Sequence, residues 1–152
     1  QAALAFVVLG ILTVVALMDM DTLEIYDRFP VLLFVCGIAA HILIPSLGIK
    51  SRLIGCVIVS VPMLLLALIV PGGFGGGDIK LMFGAGFFLG AKLTVVAAFI
   101  GILLGGGFGA LLLAQKKANR KSQFAFGPFL CIGIAIAMFF GETIADWYMG
   151  LL

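Results

Sequence analysis

Leu53-Ile54-Gly55-Cys56-Val57-Ile58-Val59-Ser60-Val61-Pro62-Met63-Leu64-Leu65-Leu66-Ala67-Leu68-Ile69-Val70 runs for 18 residues without a charge, then breaks into Pro71-Gly72-Gly73-Phe74-Gly75-Gly76-Gly77-Asp78-Ile79-Lys80. A helix needs roughly 20 apolar residues to cross a bilayer, and the first part meets that length. Pro62 predicts a bend within it, because proline removes a backbone donor and crowds the preceding turn. The second part places an acid beside three glycines at the mouth of a membrane segment. Charge at such a boundary is costly to bury, which makes Asp78 a candidate for function.

Working outward, further apolar runs cover residues 2–18, 31–47, 79–90, 93–114 and 124–148. The run over 79–90 is too short to cross if straight, unless it starts within the membrane. Polar breaks fall at 19–30, 48–52, around Lys92 and at 115–123. The 152 residues are 64% hydrophobic and only 11% charged, with a mean hydropathy of +1.34, which excludes a soluble domain of this size. The expected fold is all-α, a polytopic membrane protein of about six transmembrane helices forming one domain over residues 1–152. The first run lacks the basic start and small-residue cleavage site of a signal peptide. No basic patch with interleaved aromatics occurs, so nucleic acid is not an expected partner. Cys36, Cys56 and Cys131 lie far apart in apolar runs and form no CxxC pair, which points to packing and not to a metal site.

Six spans sort the loops into two sets. Arg28, Lys80, Lys116, Lys117, Arg120 and Lys121 fall on one side, and Lys50, Arg52 and Lys92 on the other. The excess marks the first side as cytoplasmic and both ends of the chain as outward, with Trp147 and Tyr148 in an outer aromatic belt. The basic loop is expected to anchor on anionic lipid of the bilayer. Gly101, Gly105 and Gly109 recur at four-residue spacing, which predicts close helix packing. His41, the only histidine, reads as a mid-span residue bonding a neighbouring helix.

Asp19 and Asp78 both stand at cytoplasmic ends of spans. Two carboxylates brought together share a proton, and their titrations split. Peptide hydrolysis uses such a pair: one acid takes a proton from water while the other hydrogen-bonds the scissile carbonyl and then protonates the amine. The plainer reading makes Asp19 a loop acid and Asp78 the N-cap of a helix starting at Ile79. Glycines let another backbone approach closely, so Gly75 and Gly77 are candidates to lie against an extended peptide. The stretch is not a phosphate loop, because no Gly-Lys followed by Ser or Thr is present.

Gly75-x-Gly77-Asp78-Ile79-Lys80 resembles the GxGD signature of the type IV prepilin peptidases. Leu17-Met18-Asp19-Met20-Asp21-Thr22 resembles that family's first aspartate motif, and Phe126-Gly127-Pro128-Phe129-Leu130 a third block after the basic loop. The blocks stand in the family's order and together cover most of the chain. One departure is Tyr26, which precedes Asp27 where the family usually has proline. The resemblance implies an aspartic endopeptidase that cuts the short basic leader of prepilins or pseudopilins at the cytoplasmic face of a bacterial or archaeal inner membrane. It implies Asp19 and Asp78 as the catalytic pair, and Gly75, Gly77, Lys80, Gly127 and Pro128 as substrate-binding. Many members also methylate the new N-terminus with S-adenosylmethionine, and many carry two CxxC pairs in a preceding domain. No CxxC pair occurs in these 152 residues. Proteolysis by this route needs no cofactor.

Tyr26-Asp27 with the glycine motif also resembles the presenilin and signal-peptide-peptidase pattern, in which Asp27 would be the first acid. That pattern's Pro-Ala-Leu block is missing. Asp21 and Glu24 are candidates to attract a basic leader. Lys80 is expected to pair with an acid of the first loop, to tune the two acids, or to snorkel. Glu142 and Asp146 read as facing solvent or protein. The alternative class is a small transporter or channel using Asp78, His41 and Glu142 as an ion path.

Overall fold

In the computed structural model the described residues are 2–43, 45, 47–70, 74–115 and 125–151. They form six helices: α1 (Ala2–Thr22), α2 (Arg28–Leu43), α3 (Ile49–Ile69), α4 (Gly76–Leu89), α5 (Ala91–Ala114) and α6 (Gly127–Met149). Four of them, α1, α3, α5 and α6, are long and apolar enough to cross a membrane, and α2 is apolar but shorter. With 14 residues, α4 spans about 21 Å against a hydrocarbon core of about 30 Å. The chain is a multi-pass membrane protein.

The apolar helices are hydrophobic all round, so composition alone does not say which stripe faces inward. Packing decides it. On α1 the buried positions are Val8, Leu12, Val15 and Asp19, spaced four, three and four residues apart, while Phe6, Val14 and Leu17 point outward. Asp19 is therefore the last member of the inward stripe and lies inside the helix, not at its end as polarity implied. The helix runs on to Thr22, whose Oγ1 donates to the Met18 carbonyl at 2.8 Å, and Leu23 then turns the chain with φ 55°. A carboxylate does not stop a helix; the backbone turn does.

Other boundaries move for the same reason. Gly48 precedes α3, so Lys50 and Arg52 belong to a helix and not to a turn. The same helix continues through Pro62. Between α4 and α5 only Gly90 intervenes, with φ 79°, a conformation that glycine adopts without strain.

The core helix is α4. Eight of its 14 residues are buried, against α2 and α3 on one side and α5 and α6 on the other. Its contacts run backbone to backbone. A Cβ on Gly86 would strike the Gly55 carbonyl of α3, one on Gly84 would strike the Pro30 carbonyl of α2, and one on Gly55 would strike the Gly86 carbonyl. The other extensive contacts are α3 with α5, α1 with α6 and α5 with α6. There Gly101 and Gly105 receive Leu130 and Phe126, as the small-residue spacing predicted.

Contacts between helix ends give the topology. Asp19 in the last turn of α1 meets Gly127 at the start of α6, and Lys80 in the first turns of α4 meets Asp27 before α2. These ends share one side of the bundle, called here the acid end. At the opposite end Lys92 of α5 pairs with Glu142 and Asp146 of α6, at 2.7 and 2.8 Å. Trp147 and Tyr148 are exposed on that same end. His41 lies in the last turn of α2 and not at mid-span, and its buried Nδ1 has no hydrogen-bond partner among the described residues. Asp78 stands at one end of the bundle, and His41 and Glu142 at the other, so they do not converge on an ion path. Lys116, Lys117, Arg120 and Lys121 lie outside the described residues.

Candidate active site

The glycine stretch folds differently from a cap. Gly75 is the N-cap of α4, with extended backbone and no side-chain cap bond, and the helix begins at Gly76. Asp78 is thus the third helical residue. The N-cap expectation for Asp78 fails because the glycines themselves take up helical geometry and leave the acid inside the first turn. An acid is still favoured there by the helix dipole. Its side chain turns inward and is 6% exposed, and Oδ1 has no hydrogen-bond partner among the described residues.

Asp19 reaches the same interior from α1 and is also 6% exposed. Its Oδ2 accepts the backbone N–H of Gly127 at 2.8 Å. That N–H is one of the orphan donors of the first turn of α6, so the acid caps the helix from a distant part of the chain. The two carboxyls lie within Coulomb range of each other, and both lie within range of the Cys131 thiol one turn along α6. One turn from each of Asp19, Asp78 and Gly127 sit Val15, Met82 and Cys131, all buried in the core. These three belong to the apolar core one helical turn away from the acids. Phe74 and Phe126 meet edge to face at 5.3 Å beside them, linking the segment before α4 to the start of α6.

The remaining candidates separate. Asp27 is exposed and paired with Lys80 at 2.6 Å, so it is not the acid that meets Asp78. That pair is the one expected between Lys80 and the first loop. The turn that the family usually builds with proline closes here through the backbone, with Phe29 N–H to the Tyr26 carbonyl at 3.1 Å and Val31 N–H to the Asp27 carbonyl at 3.3 Å. Gly75 is exposed, and a Cβ there would approach only the Asp78 carboxyl, at 3.3 Å. Gly77 does not offer an open surface: a Cβ on it would come within 2.7 Å of Ile25, so this glycine is needed for packing of the first loop. Gly127 is buried, and a Cβ there would lie 2.7 Å from Asp19 Oδ2. Its place is beneath the first acid, holding it, and not on a peptide-binding surface. Pro128 is half-buried at the start of α6, where its missing N–H leaves no helical bond unmade.

Phe74 was not singled out in the sequence, whereas Cys131 was expected to pack and is buried in the core. It also counted Arg52 as a loop charge. In the structure Arg52 is one of the largest fully buried side chains.

The model of the type IV leader peptidase family matches residues 6–110. The chain belongs to that family. The matched part holds both acids and the glycine motif, and ends before α6. A prepilin leader peptidase/N-methyltransferase of Bacillus subtilis is 29% identical over 145 residues, 95% of this chain and 58% of that protein. One of Legionella pneumophila is 38% identical over 76 residues, half of this chain and 26% of the relative. One of Aeromonas hydrophila is 25% identical over 150 residues, 95% of this chain and 52% of the relative. The chain thus spans about half the length of the curated relatives that it matches end to end. No solved structure matches it.

Proposed function

We propose that residues 1–152 form a single transmembrane peptidase domain that cuts the leader from type IV prepilins or related pseudopilins, with Asp19 and Asp78 as catalytic residues. The observation that carries this reading is that two buried carboxyls, from α1 and α4, lie within electrostatic reach of each other in a chain of the leader peptidase family. Relatives named prepilin leader peptidase supply the substrate class. The acid end would face the cytoplasm of a bacterial or archaeal inner membrane, in keeping with the excess of Lys and Arg on that side.

The roles follow from the partners. A hydrogen bond to a carboxylate favours its charged form, and burial without a partner disfavours it. Asp19, held by the Gly127 N–H, is the general base that takes a proton from water. Asp78, with Oδ1 free, carries the shared proton and gives it to the scissile carbonyl as water adds; as the C–N bond breaks, Asp19 gives the proton it took from water to the leaving amine and Asp78 takes its own back from the hydroxyl. Gly75 and Gly76 are exposed beside Asp78, and the cleaved segment would approach along them. Lys80 remains a proposed contact of the substrate through its exposed pair with Asp27.

Methyl transfer is a separate question of fit. A groove of about 370 Å³ between α2 and α4 is lined by Pro30, Val31, Phe34 and Phe83, with Asp27 and Lys80 as its polar groups. Those two pair with each other. The proposed proteolysis uses only the two acids and water, so no step of it draws on S-adenosylmethionine.

The test is cleavage of a peptide with a basic leader, a glycine and an apolar segment. Asp19→Asn and Asp78→Asn should each lower turnover by about 10³-fold or more while leaving the protein folded in the membrane. The parent rate should fall on both sides of an optimum. At low pH both acids are protonated and no base remains; at high pH both are ionised and no acid remains. Full activity in either variant rejects the assignment.

A further inference from the structure

We propose that Arg52 is a positioning residue for Asp78, acting through the far end of α4; this rests on the peptidase reading above. Arg52 is 2% exposed, and among the described residues it makes no ion pair. Its Nη1 donates to the Phe88 carbonyl at 2.9 Å, the Phe87 carbonyl at 3.0 Å and the Gly37 carbonyl at 3.5 Å. The last carbonyls of a helix have no partner within it. On α4 the Gly86 carbonyl takes the Gly90 N–H at 2.9 Å, and Arg52 takes the next two. A cation at a helix C-terminus is favoured by the dipole, and at 2% exposure Arg52 leaves little room for water to do the same work.

Burying an unpaired guanidinium is expensive for a mere staple. What it supplies is direction along the helix axis. The close approach of α3 and α4 nearest Arg52 is glycine on glycine, Gly55 against Gly86, where no side chain of either residue fixes the axial position. Arg52 is fixed on α3 and grips the end of α4. Asp78 lies ten residues from Phe88, about 15 Å along a rigid helix. Asp19 is held separately by α6. The clamp therefore sets how far Asp78 advances towards Asp19, and displacements near 1 Å cost up to about 10²-fold in rate.

The test uses the membrane-embedded chain with Arg52→Gln and Arg52→Lys. Lys92→Gln serves as a control that removes a cation at the same end. Two readouts are taken. The first is cleavage of the leader peptide above. The second is cross-linking of an Asp19→Cys/Asp78→Cys variant, with Cys131→Ala, by a short bifunctional thiol reagent. The expected result for Arg52→Gln is a fall of about tenfold in kcat with KM little changed, and a matching fall in cross-linking rate. Arg52→Lys, which keeps a donor for one carbonyl, recovers part of both, and Lys92→Gln changes neither. The idea is overturned if folded Arg52→Gln cleaves and cross-links like the parent, or if Lys92→Gln shows the same loss. Should Arg52→Gln fail to fold, an Arg52→Lys protein of lower Tm with unchanged kcat and cross-linking overturns it equally. If the parent cuts no leader, the peptidase reading fails, and the cross-linking still reports on Arg52.

Discussion

The two acids sit in two differently built halves of the bundle. Asp19 belongs to α1, which packs on α6 and through it on α5, and a backbone N–H of α6 holds its carboxylate directly. Asp78 belongs to α4, which packs on α2 and α3 through glycines, and nothing described holds its Oδ1. Asp19 is held by a donor from another helix. Asp78 has only the backbone of Gly75, in its own turn, beside it and otherwise depends on the seating of its whole helix. In the proposed reaction this asymmetry would suit the two roles, one carboxyl held as a base and the other keeping an oxygen open to meet a carbonyl.

Gly127→Ala attacks the first kind of placement. Its methyl group would lie 2.7 Å from Asp19 Oδ2, so the acid must move or lose its N–H. The expected result is a 10- to 100-fold drop in kcat with the protein still folded, read from steady-state kinetics on the leader peptide. If kcat is unchanged, the Asp19–Gly127 bond does not position the base.

Gly86→Ala attacks the second kind, since a methyl group there meets the Gly55 carbonyl, a backbone atom that cannot turn aside. A loss of about 1–3 kcal/mol is expected, read as a lower Tm in detergent. Activity should fall with it, because Asp78 moves with α4. Stability lost without any change in kcat would show that the seating of α4 does not govern the acid.

Asp27→Asn should have the smallest effect. Its pair with Lys80 is exposed on both sides, so stability should change by less than about 1 kcal/mol and cleavage by less than about twofold. Loss of activity on the scale of Asp19→Asn would instead make Asp27 the first acid and reverse the assignment.

Helix number and approximate position were readable from apolar run length, because crossing a bilayer demands about 20 apolar residues whatever they touch. Gly101 and Gly105 were readable as contacts for a similar reason: little besides close packing asks for small residues at that interval. The site was readable in part. Asp19 and Asp78 stood out because charge is rare in such a chain. Gly77 and Gly127 were singled out correctly as special, but as peptide-facing. In a motif, a glycine that admits a neighbouring backbone and one that admits Ile25 or a carboxylate look the same. Arg52 was misread because a cation near the end of an apolar run has the same pattern whether it snorkels to the surface or turns inward.

What the chain determined by itself is an all-helical membrane protein with two acids at one face, since transfer cost depends only on residue type and order. Only the tertiary structure decided which acid meets Asp78, which backbone donor holds Asp19, and that Arg52 closes the end of α4. Those are pairings between residues as much as 108 positions apart, made where helices cross, and no local pattern carries the crossing.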